Sequence, residues 1–420
     1  MRPFLLPSLF AFVASLPFAA LVHADEVVID PIQREHDRLQ ALTTPEPPTP
    51  GSWHMGAGPK AAEPLRARLA EWGYDVPRGD DNALAAALVD FQRINGLKET
   101  GSLDKSTVAK LSMSREDRLV RLRYTLAAET AQPIDRTVPR LVIVNIPSYK
   151  LRAFESGQLA LSSNVVVGRP KRPTPELSVF MKAVKYNPTW TPPPTIIKED
   201  LIPLFGRDPS AVTRKGLVVL DRGGRQIPPD AIGPISAAGF HAAGYRMYQP
   251  AGDSNALGKL KFEITDTPSV YLHDTNHRND FGKPVRALSS GCVRVHQYRP
   301  LAAWLMGLSE DEIQKRINRR RTVVEPSPQI PIYLVYRPAE AIDGHVVYYS
   351  DIYGKLNGPL PKPKPKPIPV IEPAPAPEAT PAAPSADPSV PPVAPVTPAA
   401  VPVATTPAVA TASEPAPATR

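Results

Sequence analysis

Apolar positions recur at two different periods along the chain, and the switch divides it. In PLRARLAEWGY, Leu65, Leu69 and Trp72 fall on one helical face. NALAAALVDFQRING repeats that spacing and ends at Gly96, a residue suited to the left-handed position just past a helix. SLDKSTVAKL predicts a third helix, with Ser102 or Asp104 as its cap. Residues 62–112 therefore read as a small three-helix module with Phe91, Ile94 and Leu97 in its core. A charged helix at 115–130 reads as the connection, within 113–138, to a second and larger region.

After Pro139 the period falls to two. Strands are predicted at 141–145, 150–154 and 159–167, the last two joined by a turn at Ser156-Gly157. Others lie at 180–186, 261–264, 270–273, 293–295, 331–337 and 346–350, with helices at 298–306 and 310–317. Many short strands and few helices predict a mainly β domain over 139–354, a mixed sandwich or barrel. Between 187 and 245 the rhythm lapses. NPTWTPPPTIIKEDLIP and a Gly/Pro-rich run form an insertion of the size expected for a lid, with Trp190 inside it.

The two ends differ from both regions. Arg2, an apolar run from 4 to 21 and Val22-His23-Ala24 read as a signal peptide over 1–24. No later run is long enough to span a membrane, so no transmembrane anchor is expected after cleavage. Residues 25–61 read as a linker. Residues 355–420, dominated by Pro and Ala, read as a disordered tail that cannot bury enough surface to offset chain entropy. An exported chain with a net charge of +8 suits an anionic wall polymer or membrane surface, not nucleic acid.

Export sharpens the meaning of the single cysteine, Cys292, in RALSSGCVRV. Structural cysteines outside the cell come in pairs. A lone one is an inert buried thiol, an intermolecular bridge or a nucleophile. A nucleophile needs a base, because a free thiol is mostly protonated at neutral pH. VYLHDTNH supplies one: His273 ends a strand-like run, and Cys292 opens the next after a polar loop. Ser289, Ser290 and Gly291 are small enough to admit a carbonyl, and Gly291 permits a turn that aims backbone N–H groups at an oxyanion. Arg294 alternates with Cys292 and so shares its face, where it lowers the thiol pKa, holds a substrate carboxylate or forms an ordinary surface ion pair. His277 is four residues from His273, but in a loop, and with no HExxH or cysteine cluster no metal is expected. His296 reads as a surface residue.

YLHDT followed by ALSSGCVRV resembles the active-site signature of the L,D-transpeptidase family. VNIPSYKLRAF, VVVGRPKRPTP, NALGKLKFEI and DIYG fall in the matching order, so the resemblance spans the second region. It is nearest to the larger Gram-negative periplasmic branch, which shares Trp-x-x-Pro-Pro at Trp190. LAEWGY, VDFQRINGL and TGSLDKSTVAKL resemble a peptidoglycan-binding module. Asp274 stands where the commoner pattern has Gly, and Ser290 where it has His.

The resemblance implies a periplasmic, wall-associated enzyme acting on peptidoglycan stem peptides without a cofactor. Cys292 is the implied nucleophile and His273 the acid–base. Gly291, Ser290, Arg294 and Tyr271 are the oxyanion and substrate candidates. A tetrapeptide stem donates, D-Ala leaves, and a diaminopimelate amine accepts to form a 3→3 cross-link. Carbapenems are the implied inhibitors. The group that orients His273 is expected to be a backbone carbonyl, with the Asp274 carboxylate as the rival. An L,D-carboxypeptidase, a transferase of stems onto an envelope protein, and a non-catalytic wall-binding scaffold remain as alternatives.

Overall fold

The computed structural model describes residues 26–228, 235–265, 267 and 270–363. The signal-peptide expectation and the tail beyond residue 363 lie outside them. Among the described residues no helix is long and apolar enough to cross a membrane.

Five helices come first: α1 (Glu26–Ala41), α2 (Pro59–Glu71), α3 (Asp81–Ile94), α4 (Lys105–Leu111) and α5 (Arg115–Ala131). Asp80, Asp104 and Ser114 cap α3, α4 and α5 by accepting backbone N–H bonds. Leu65, Leu69, Leu84, Leu88 and Phe91 fill the core between α2 and α3.

The strands are β1 (Arg140–Asn145), β2 (Lys150–Glu155), β3 (Gln158–Gly168), β4 (Leu177–Tyr186), β5 (Val218–Leu220), β6 (Gln226–Ile227), β7 (Arg246–Tyr248), β8 (Leu260–Ile264), β9 (Leu272–His273), β10 (Ala287–Ser289), β11 (Val293–Val295), β12 (Val323–Val335), β13 (Ala339–Ile342) and β14 (His345–Tyr348). Nine of them form one sheet in the order β10-β3-β11-β9-β8-β4-β12-β1-β2, and β2 also pairs with β3, which closes it into a barrel. Alternation decides which side chains enter. Val165, Val167, Leu272, Val293 and Val295 point inward against Leu301, Leu305, Ile313 and Ile317 of the helices Tyr298–Met306 and Glu310–Asn318. Each such side chain contributes about 1.5–3 kcal/mol on burial. A one-residue slip would turn the whole set outward, so the register is strongly held.

Four expectations change. Residues 25–61 are not simply a linker: α1 packs along α5, and Ile32, Leu39 and Trp53 enter the helical core. The 115–130 helix is not a bare connection. Leu119 and Leu122 belong to the helical core, whereas Tyr124 and Ala128 belong to the barrel core. The strand expected at 346–350 is half of the hairpin β13–β14, which covers the module with Ala339 and Tyr348 rather than joining the barrel. The tail does not begin at 355, because Lys355–Asn357 form a 3-10 turn with Leu356 packed on the barrel and Lys355 paired with Glu176.

The insertion is more ordered than its Gly/Pro content suggests. It holds helical turns at Pro194–Ile196, Ile202–Arg207, Ala211–Arg214 and Ala237–Ala242, with a π turn at Ile197–Leu201. With β7, just past the expected end at 245, it forms a small sheet in the order β6-β5-β7. Its own core is built from Leu201, Phe205, Val212, Val219, Phe240 and Met247.

Candidate active site

β9 and β11 are adjacent and parallel, with Val293 opposite Leu272 and Arg294 opposite His273. Paired residues on neighbouring strands share a face, and residues two apart on a strand do too. This register therefore sets Tyr271, His273, Cys292 and Arg294 on the outer face of the barrel, because Leu272 and Val293 are taken by the core. Lys261 joins them from β8, where it lies opposite His273.

The side chains line a cleft of about 500 Å³. Tyr271, His273, Ser290, Cys292 and Arg294 form its floor, and Trp190, Ile196, Asp200, Leu201, Lys215 and Leu217 of the insertion form its roof. Trp190 serves both the lid and the cleft. It packs against the lid's own core and also faces the cleft. Its backbone exchanges two hydrogen bonds with Gln249, at 3.0 and 2.7 Å.

His273 is buried, and its Nδ1 meets the Asp274 backbone carbonyl. A carbonyl only accepts, so Nδ1 carries the proton and Nε2 is left as the basic nitrogen. The Asp274 carboxylate is engaged elsewhere, accepting from the Lys259 backbone N–H at 2.9 Å and from Arg278. Burial, with the Arg294 charge second, pushes the His273 pKa down to about 3, so the imidazole is neutral. Burial also pushes the Cys292 thiol up. The Tyr271 backbone N–H, Lys261 and Arg294 pull it back without cancelling that effect. The resting pair is thus thiol and neutral imidazole, not a preformed ion pair.

Arg294 lies 2.9 Å from Asp280 and spends much of its charge there. Gly291 sits at φ +116°, which favours glycine, but its N–H donates to Ser289 Oγ at 3.1 Å instead of entering the cleft. That geometry argues against the Gly291 N–H as an oxyanion donor. Ser290 Oγ accepts from Arg172 at 3.2 Å. His277 lines the cleft, and His296 is exposed and packs on Phe281 at 4.7 Å.

Sequence reasoning missed three residues here. Lys261 sits 4.0 Å over the Tyr271 ring and 2.8 Å from Glu263. Its only signal was its alternating position in KLKFEI. Asp280, in a loop without periodicity, had none. Thr174 donates to the Gly291 carbonyl at 2.8 Å and lay in RPKRPTP without a role.

Residues 139–323 match the YkuD family model, described as the L,D-transpeptidase catalytic domain. The segment is an L,D-transpeptidase catalytic domain. Residues 60–111 match the model described as "Putative peptidoglycan binding domain". A Haemophilus influenzae protein named "Putative L,D-transpeptidase" is 36% identical over 278 residues, which cover 64% of this chain and 55% of that protein. The chain thus spans about half the length of the curated relative it matches. Among solved structures, the L,D-transpeptidase from Xylanimonas cellulosilytica is 15% identical, with 70% of this chain and 99% of that chain covered and a TM-score of 0.24. The L,D-transpeptidase (Yku) from Stackebrandtia nassauensis is 12% identical, with 69% and 99% covered and a TM-score of 0.27. The L,D-transpeptidase domain holds Cys292, His273 and Arg294 together; the peptidoglycan-binding segment coincides with α2 to α4.

Proposed function

We propose that the chain is an exported, periplasmic L,D-transpeptidase that joins peptidoglycan stems through a thioester on Cys292. The observation that carries this reading is the placement of Cys292 and His273 on one face of two adjacent parallel strands, under a lid. His273 Nε2 removes the thiol proton as sulfur attacks the carbonyl between diaminopimelate and the terminal D-Ala. The C–N bond breaks, and the same proton passes from His273 to the departing D-Ala amine. A diaminopimelate amine of a second stem then attacks the thioester and loses a proton through His273 to the sulfur. One amide replaces another, so neither step needs an external energy source. This is base-assisted attack, because a neutral imidazole held by the Asp274 carbonyl accepts a proton only as the bond forms.

Burial pushes the Tyr271 phenol up to about 12, so it stays protonated and able to donate to the oxyanion. The Arg294 and Lys261 cations favour negative charge on this face. The peptidoglycan-binding segment holds the enzyme on the wall, and carbapenems acylate Cys292 as mimics of the donor.

The test is incubation of the purified chain with disaccharide-tetrapeptide, with products resolved by mass spectrometry. Dimers that have lost one D-Ala, with the link traced to two diaminopimelates, are expected. Tripeptide monomers alone would make the enzyme a hydrolase, and unchanged substrate would overturn the reading.

A further inference from the structure

The turn between β3 and β4, Gly168 to Glu176, touches every residue of the approach to the nucleophile. The Arg169 N–H donates to the Ser289 carbonyl at 2.9 Å, Arg172 Nη1 to Ser290 Oγ at 3.2 Å, and Thr174 Oγ1 to the Gly291 carbonyl at 2.8 Å. The turn is itself tightly closed. The Gly168 N–H donates to Thr174 Oγ1 at 2.8 Å, and a Cβ on Gly168 would lie 2.2 Å from the Arg172 carbonyl oxygen. The Tyr353 hydroxyl accepts from the Thr174 N–H and donates to the Gly168 carbonyl, at 3.1 and 2.8 Å.

The same turn holds the lid. Arg169 Nη2 lies 3.1 and 3.2 Å from the two Asp200 oxygens. Arg172 reaches Asp200 at 2.8 Å and Glu199 at 2.5 Å. Both acids sit in the π turn Ile197–Leu201, and Asp200 and Leu201 also line the cleft. π turns are rare and concentrate at functional sites. The Arg172 side chain is only 14% exposed; its bond to Asp200 is part-buried, whereas the one to Glu199 is open to water. One guanidinium therefore spans the roof of the cleft and the residue two before the nucleophile. Its planar fork allows that, where a lysine has one point of charge.

We propose that the 168–176 turn couples seating of the lid to the alignment of Cys292, with Arg172 as the positioning residue. A stem that presses on Asp200 from inside the cleft draws on Arg172, and through Ser290 on the loop that aims the sulfur. Coupling is reciprocal, so a displaced nucleophile loop also loosens the lid. The proposal deepens the acyl-transfer reading and rests on it.

The experiment compares Arg172→Gln, Asp200→Asn and the double variant in the full chain by two readouts. In stem transfer, each single variant lowers kcat, by up to about 10²-fold for a misplaced reacting group, with KM close to wild type. The double variant loses less than the two single losses combined, the remainder being the Arg169–Asp200 pair that Asp200→Asn also breaks. A rise in KM with kcat unchanged would make Arg172 a binding residue and overturn the proposal, as would additive losses. Amide hydrogen exchange supplies a readout independent of activity, and Asp200→Asn supplies it if Arg172→Gln does not fold. Asp200→Asn, changed only in the lid, should speed exchange both at 195–205 and at 288–292. Faster exchange in the lid alone overturns the coupling. Absence of stem transfer in the wild type, with exchange still coupled, would remove the functional reading and leave the mechanical one standing.

Discussion

Arg118 and His273 are both buried, one in the helical core and one on the outer face of the barrel. Around Arg118 the charge is paired, although its Nε finds no hydrogen-bond partner. Its Nη2 lies 2.7 Å from Glu71 Oε1, its Nη1 donates to the Glu71 carbonyl at 3.1 Å, and its guanidinium stands 5.0 Å over the Trp72 ring. Glu71 is further held by Arg115 at 2.8 Å. Burial alone would raise the Glu71 pKa, but those arginines more than offset it and hold the carboxyl ionised. His273 has no such counter-ion. A backbone carbonyl fixes its tautomer, and burial first, then the cations Arg294 and Lys261, disfavour its protonated form, so it stays neutral. The helical core buries charge and pairs it with charge of the opposite sign. The barrel face holds a buried imidazole neutral and without a counter-ion, which suits it to the proton-accepting role proposed for it.

That contrast can be broken at either end. The largest effect belongs to the barrel face. Cys292→Ala should abolish stem transfer and carbapenem adduct formation while the thermal melt stays near wild type, since the side chain sits at the start of a short strand. The intact mass before and after carbapenem exposure checks it: one adduct per wild-type chain, none on the variant. Next comes Glu71→Ala, which strands Arg118 and should cost about 3–5 kcal/mol of stability. Below the lowered melting temperature, Cys292 alkylation should run at the wild-type rate, and a slowed rate would show that the two regions are not separable.

A smaller effect concerns pH. The folded chain holds His273 near 3, whereas an unfolded histidine titrates near 6.5. Below 6.5 the unfolded chain takes up a proton that the folded chain refuses. The contribution of His273 is therefore intact above pH 6.5 and is lost as pH falls toward 3. His273→Gln should melt with a flatter pH dependence across that window, and an unchanged slope would mean that the imidazole is not held neutral. The smallest effect is at the roof of the cleft. On the proposed reading that the lid keeps water from the thioester, Trp190→Ala should raise the share of hydrolysis over cross-linking while the protein stays folded. Product ratios at matched turnover measure it.

Legibility followed the same division. The barrel strands around Val142, Val165 and Phe262 were readable because alternation is enforced by a core on one side. Cys292 and His273 were readable from residue type and from a polar loop of adequate length. Their parallel, adjacent pairing was not, since β10 intervenes in the chain but lies on the far side of β3. β12 was read only in its C-terminal half. Pro326 and Pro328 argued against a strand, yet the ladder continues past a register shift between Pro326 and Ile330. α1 went unread because Pro31 lies inside it and its apolar contribution to the core, Ile32 and Leu39, is sparse. The hairpin β13–β14 could be seen as strand, but nothing local in it announces that its partner is a module made long before it.

That partnership sets an order of events for the growing chain. Trp72 packs edge-on against Phe91 at 5.1 Å and against Tyr348 at 5.5 Å. A polypeptide that emerges from its N-terminus has the first two of those rings early and the third only after the whole barrel has been made. Until then the aromatic face of the module is bare, and bare apolar surface on an unfinished chain is where misassembly begins. The finished protein thus fastens an earlier-made part with a later-made one, so a truncated chain ending inside the barrel would carry an exposed seam, which proteolysis can reach.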